Sequence, residues 1–324
     1  MPSSSRLPVT ISDPEFARAL EDWCARYLGA WPAGLLFERV HLSAVIGFRM
    51  SDGREVVVKV REPSARLVAC VQVQKYLWKA GYPCPQPLAG PAPIGALTGT
   101  AETMVPGGEQ LGANDDSPRL FAEALAELVH RAPSVISLPT LDPTPPWVGW
   151  DHNELGTWPP PDDRDADLND YRGPAWLDDL ARRVRQRLTR CRQPRVVGHA
   201  DWESQNIRWA GRDLYVVHDW DSVVALPEAA IAGAAAAVFP FTGALAGGAT
   251  LEETAAFLTA YEHARNKRWS DDEKEVCWAA GLWVSAFNAK KATLDGEGNP
   301  ILARLAREGT ERTRRAGVGI FHRE

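Results

Sequence analysis

The apolar positions begin at helical spacing. Phe16, Leu20 and Trp23 fall along one side of a segment that Asp13 or Ser12 would cap, with Pro14 in its first turn. The pattern then turns to strands. The stretch "LLFERVHLSAVIGFRMSDGREVVVKV" reads as strand, loop, strand, a turn at Asp52-Gly53, and a strongly β-branched strand that carries Lys59. Ser64 opens a second helix, which closes at Gly81 because the prolines of "YPCPQPL" cannot continue it. A short strand in "TAETMVPGG" then runs into a proline-glycine connector.

Beyond the connector the spacing is mostly helical. Ser117-Pro118 begins the helix "RLFAEALAELVH", and a proline- and tryptophan-rich loop follows over residues 139–174. In "LARRVRQRLTRCRQPR" the apolar Leu180, Val184, Leu188 and Cys191 keep helical spacing, which predicts a core helix with a solvated basic side. The run "ALPEAAIAGAAAAVFPFTGALAGG" predicts a buried, close-packed helix. One strand pair is expected around residues 195–220, and no internal repeat is present. This order predicts an α+β chain in two lobes with a cleft between them: a small β-rich N-lobe over residues 1–106 and a mostly helical C-lobe over 107–324.

Composition narrows the function. With 324 residues, 45% of them hydrophobic, the chain can bury a sizeable core. A net charge of -6 argues against a nucleic-acid partner, which needs a basic face. No run approaches the roughly 18 apolar residues of a membrane span, so no membrane partner is expected. The first 15 residues have no apolar core after their basic residue, so no secretory leader is expected either. Five scattered cysteines without a CxxC pair read as reduced thiols, and the expected location is cytoplasmic.

The chemistry concentrates in "VVGHADWESQNIRW" and, after one strand, "LYVVHDWDSVV". Asp201 follows an apolar run, where a carboxylate can project from a strand end. Asn206 adds a neutral oxygen five residues later, and Asp219 arrives at the end of the next strand. One carboxylate with one amide oxygen suits magnesium, which is completed by water and substrate phosphates. The other carboxylate is left to orient a hydroxyl nucleophile, a division of labour that phosphoryl transfer requires. His199, Asp201, His218, Asp219 and Asp221 also permit a metal-dependent hydrolase, although His218 and Asp219 should point to opposite sides of a strand.

The HxDxxxxN pattern of "HADWESQN", followed by the aspartate of "VHDWD" 18 residues after Asp201, resembles the aminoglycoside phosphotransferase and choline kinase-like family, which has a protein-kinase-like fold. Upstream, "VVVKV", "YLWKAGYPCPQPL" and "ETMVPGG" are similar to the lysine strand, the following helix end and the interlobe hinge, so the likeness spans about residues 38–265. It implies ATP and Mg2+ as cofactors and a small-molecule hydroxyl compound as phosphoryl acceptor. It further implies Asp201 as the catalytic aspartate, Asn206 and Asp219 as magnesium ligands, and Lys59 on the nucleotide phosphates. The backbone from Glu102 through Met104 to Val105 would meet the adenine, and His199 would brace the loop.

Two features depart from that pattern. The helix glutamate that pairs with the family's lysine is missing: Cys70 stands in its place, and Gln72 or Gln74 could offer only a hydrogen bond. This motivates a catalytically silent nucleotide-binding protein as the alternative. The phosphate-covering loop also has a single glycine, Gly47. Finally, residues 151–170 carry seven acids against one arginine, either a solvated loop or an acidic wall for a cationic acceptor.

Overall fold

A computed structural model of the chain describes residues 9–170, 173–242, 247–296 and 300–319. Its contacts divide it into two units. The first runs to Gly107 and includes 138–142 and 162–165; the second holds the rest from Gly108 on.

In the first unit, helix α1 (Pro14–Leu28) starts where expected. The Asp13 carboxylate accepts from the amide of Glu15 at 2.9 Å, a cap that contributes about 1 kcal/mol. Gly29, at φ 72°, ends it. Strands β1 (Pro32–Val40), β2 (Ala44–Met50) and β3 (Glu55–Arg61) follow, then α2 (Arg66–Lys79), β4 (Pro87–Ile94) and β5 (Leu97–Thr103). They form one antiparallel sheet in the order β1-β2-β3-β5-β4. Alternation along β3 buries Val56, Val58 and Val60 in a core with Phe16, Leu20 and Trp23 of α1. The opposite face of β3 carries Val57, Lys59 and Arg61, each half-buried.

Two details correct the sequence reading here. Strand β4 lies in a proline-rich stretch that reads as a breaker; it is tolerated because β4 is an edge of the sheet. Gly47 is not in a flexible phosphate cover. It sits within β2 opposite Phe37, whose ring lies where a Cβ would be, so the missing side chain makes room for an aromatic.

The second unit contains α3 (Ser117–Arg131), α4 (Ala175–Thr189), and four short strands, β6 (Arg195–His199), β7 (Ile207–Ala210), β8 (Asp213–Val217) and β9 (Val223–Pro227). Helices α5 (Glu228–Val238), α6 (Leu251–Ala264), α7 (Asp271–Thr293) and α8 (Pro300–Arg315) complete it. The single expected strand pair is in fact two: β6 pairs with β9, and β7 with β8. Residues 225–227 were expected to begin a helix, but with Val223 and Val224 before them they pair with β6, and Pro227 ends the strand. Of the run that follows, residues 243–246 lie outside the described residues. Helix α5 itself is buried along nearly its whole length, as its small residues foretell. Gly233 is in backbone contact with Cys277 of α7, and a Cβ on Gly281 would come within 2.9 Å of the Gly233 carbonyl. A methyl at either place would force the helices apart.

On α4, Leu177, Leu180, Ala181, Val184 and Leu188 form the buried stripe; Cys191 lies past the helix end and is half-buried. Irregular as expected, the long loop is nonetheless firmly tied. The Arg185 guanidinium donates to the carbonyls of Trp150 (2.8 Å), His152 (2.7 Å) and Gly156 (2.6 Å). Among the described residues, no helix is long and apolar enough to cross a membrane.

Candidate active site

The loop between β6 and β7 is organised around one histidine. His199 is buried, and the edges of its ring meet the buried indoles of Trp202 and Trp220 at centroid distances of 5.7 and 5.9 Å. Its Nδ1 accepts from the amide of Asp201 at 3.2 Å, so the proton resides on Nε2. Nε2–H is then shared by the carbonyls of His218 (3.1 Å) and Asp219 (3.0 Å). Burial holds the imidazole below its ordinary pKa, against the pull of Asp219, and keeps it neutral, as this tautomer requires. One side chain thus joins the loop after β6 to the end of β8.

Asp201 and Asn206 are locked together within that frame. Both hydrogens of the Asn206 amide are used on Asp201: Nδ2 donates to the backbone carbonyl at 3.0 Å and to Oδ2 at 2.6 Å. This fixes the amide orientation and leaves Oδ1 as the atom that Asn206 can offer to a ligand. Asp219 sits at φ 62°, a left-handed conformation that aspartate tolerates, and Oδ2 accepts from Ser222 Oγ at 2.7 Å. An amide oxygen and a carboxylate are hard donors of the kind magnesium takes, so the residues present fit that ion. Among the described residues, no three of His, Cys, Asp and Glu are placed to hold a metal. With both ring nitrogens engaged by backbone, His199 is removed from the ligand set of the hydrolase alternative.

Sequence reasoning passed over two neighbours. Glu203 is buried, and its carboxyl is pushed well above the usual range by burial first and by Asp201 second; Gln205 Nε2 donates to it at 2.6 Å. Trp147, from the long loop, donates its indole N–H to the carbonyl of Ala200 at 3.0 Å. The position of Glu203 two residues from Asp201 was a signal available in the sequence; the contact of Trp147 was not.

Lys59, Glu102, Met104 and Val105 belong to the first unit. Residues 102–105 end β5 and leave it. Glu102 has its backbone inside the sheet, opposite Val57 and Pro87, and its side chain on the same face as Lys59. The Met104 amide donates to the carbonyl of Glu55 at 3.0 Å. Lys59 Nζ lies 3.8 Å from Glu102 Oε1, with the two side chains only 12% and 10% exposed. From α2, Gln74 reaches this pair: its Nε2 donates to Glu102 Oε2 at 2.8 Å. A lysine without a carboxylate on α2 motivated the silent alternative; in the structure a carboxylate, that of Glu102, stands near the lysine on β5 instead.

In the acidic segment, at least three of the seven acids have structural partners. Asp163 meets Arg164 at 3.2 Å, Asp151 meets Arg195 at 3.2 Å, and Asp167 accepts from the amide of Asn169 at 2.8 Å.

An antiparallel five-stranded sheet in one unit and a helical second unit carrying this loop constitute a protein-kinase-like fold. The family follows from sequence: the model of the Phosphotransferase enzyme family matches residues 43–265, and the chain belongs to that family. Among solved structures it is similar to the amicoumacin kinase hAmiN in complex with AMP-PNP, Ca2+ and Ami, at 13% identity and TM-score 0.62, covering 96% of this chain and 98% of that one. A thermostable mutant of aminoglycoside phosphotransferase APH(4)-Ia, in ternary complex with AMP-PNP and hygromycin B, aligns at 14% identity and TM-score 0.58, over 93% of this chain and 99% of that one. A choline/ethanolamine kinase family protein from Mesorhizobium loti gives 16% identity and TM-score 0.56, over 95% and 99%. No curated protein sequence matches the chain.

Proposed function

We propose that the protein is an ATP- and magnesium-dependent kinase that moves the γ-phosphoryl group to a hydroxyl of a small molecule. The observation that carries this reading is the Asp201–Asn206 pair on a loop braced by His199. Asn206 holds the Asp201 carboxylate in one orientation, so no reorganisation is needed as the reaction proceeds.

In this reading the acceptor oxygen bonds to the γ-phosphorus while the bond from that phosphorus to the bridging oxygen breaks, and ADP leaves. Asp201 accepts the proton released from the hydroxyl. Asn206 Oδ1 and the Asp219 carboxylate would hold magnesium, which when bound supplies positive charge to the phosphate oxygens. Lys59 is assigned to the nucleotide phosphates, and the backbone around Met104 and Val105 to the adenine. The enzyme is assigned to the cytoplasm, where ATP is abundant and five free cysteines stay reduced.

The structural neighbours are kinases of aminoglycosides, of amicoumacin and, by family name, of choline or ethanolamine. The test is therefore a panel of aminoglycosides, amino-alcohols and sugars scored for ATP consumption, with products confirmed by mass. A product heavier by one phosphoryl group, formed only with magnesium present, supports the proposal. Nucleotide binding without any turnover across the panel, or zinc in the purified protein, points to the alternatives.

A further inference from the structure

We infer that Glu102 takes over from the absent helix glutamate and positions Lys59 for the nucleotide, a role that rests on the kinase reading above. Helix α2 has no acidic residue anywhere between Arg66 and Lys79, so it cannot supply a carboxylate. The sheet does. Thr100 is directly opposite Lys59 and Glu102 opposite Val57, so Glu102 is the diagonal cross-strand neighbour of Lys59 on the same face. Their charged ends meet at 3.8 Å with both side chains nearly enclosed.

Gln74 keeps the carboxylate aimed. Its amide uses one hydrogen on Glu102 Oε2 at 2.8 Å and the other on the carbonyl of Pro85 at 3.0 Å, which fixes the glutamine itself. Cys84 approaches the backbone carbonyl of the same glutamine, and burial, with Glu102 second, pushes its thiol up to about 12. The thiol therefore stays neutral and adds no competing negative charge. Stability alone does not account for the pair, since two well-packed apolar residues generally serve a protein interior as well or better. A charged lysine kept in place for an anionic ligand does account for it.

The experiment is a double-mutant cycle on the full chain: wild type, Lys59→Ala, Glu102→Gln and the double variant. MgATP affinity is measured by calorimetry, turnover by ATP consumption, and folding by thermal melting. Glu102→Gln should weaken MgATP binding or turnover about 10-fold or more, as a displacement of roughly 1 Å does, while the acceptor KM holds. The double variant should fall within about twofold of Lys59→Ala alone, because Glu102 acts through the lysine. The swap Gln74→Glu with Glu102→Gln, which moves the carboxylate onto α2, should recover most of the loss. Multiplying losses in the double variant, or a folded Glu102→Gln indistinguishable from wild type, overturns the assignment. If Glu102→Gln fails to fold, the swap decides: wild-type affinity supports the role, and affinity like that of Lys59→Ala overturns it. Wild-type protein with no MgATP affinity at all would instead overturn the kinase reading itself.

Discussion

The loop around His199 and the sheet around Lys59 hold their polar groups by different means. In the loop, the functional side chains are tied by hydrogen bonds, most of them to backbone: Asn206 to Asp201, Ser222 to Asp219, His199 to three main-chain groups. In the sheet, one half-buried cation is paired with a carboxylate brought in on another strand. Saturated hydrogen bonding fixes an orientation, and charge pairing fixes a position. The loop is thus suited to a step that depends on the direction of a carboxylate, and the sheet to binding a charged ligand.

The sharpest way to break this comparison is to ask which kinetic constant each region controls. Asp201→Asn should cut turnover at least ~100-fold, as loss of a positioned acid-base group does, while MgATP affinity and folding hold. ATP consumption and calorimetry check it; a variant with normal turnover removes Asp201 from the chemistry. Lys59→Ala should act on the other constant, raising the KM for ATP about 10-fold, the scale on which misplaced ligands act. If it left ATP binding untouched, the sheet would have no part in the nucleotide site.

A smaller effect, on stability, tests the brace. His199→Ala removes the N–H that the carbonyls of His218 and Asp219 share, at a cost of about 1–3 kcal/mol, read from the urea midpoint. The imidazole has its pKa lowered in the folded state, so its stabilisation is complete above about 6.5 and is lost as pH falls below that value. The variant should flatten this acid limb of the stability curve. Glu203→Gln should do the reverse. The Glu203 carboxyl is raised on folding, so wild-type stability is lost as pH rises above 4.5. The amide variant should melt higher than wild type at pH 7, with the gap closing toward pH 4.5. A constant gap would separate Glu203 from that titration. Least of all, neutralising Asp162, Asp163 and Asp165 together should change the KM of an amine-bearing acceptor no more than about twofold at ~0.15 M salt, because Arg164 already faces Asp163 and salt screens attraction beyond about 8 Å.

The same contrast governs what could be read before the fold was known. "HADWESQN" is legible because its parts meet within eight positions, and a loop that short has little choice of geometry. Lys59 is legible as a buried-strand lysine, but its partner is not. Which residue faces it depends on the β3–β5 register, and β4 between α2 and β5 is hidden behind Pro87, Pro91 and Pro93. The pairing of β6 with β9 was missed for a related reason: "VVALP" runs directly into an alanine-rich helix, and its last three residues were read as the start of that helix. Local hydrogen bonds are written in the sequence; partners chosen by register are not.

Placing Lys59 and Glu102 on adjacent strands has a regulatory consequence. Protein kinases are commonly switched by moving the helix that bears the lysine's glutamate, so that the ion pair forms in one state and separates in the other. In this chain both charges ride on one hydrogen-bonded sheet. A shift of α2 would cost the Gln74 contact that aims the carboxylate, but it would not carry the carboxylate away from the lysine. An effector that swung α2 could therefore act on this pair only through Gln74, a weaker lever than withdrawing the glutamate itself.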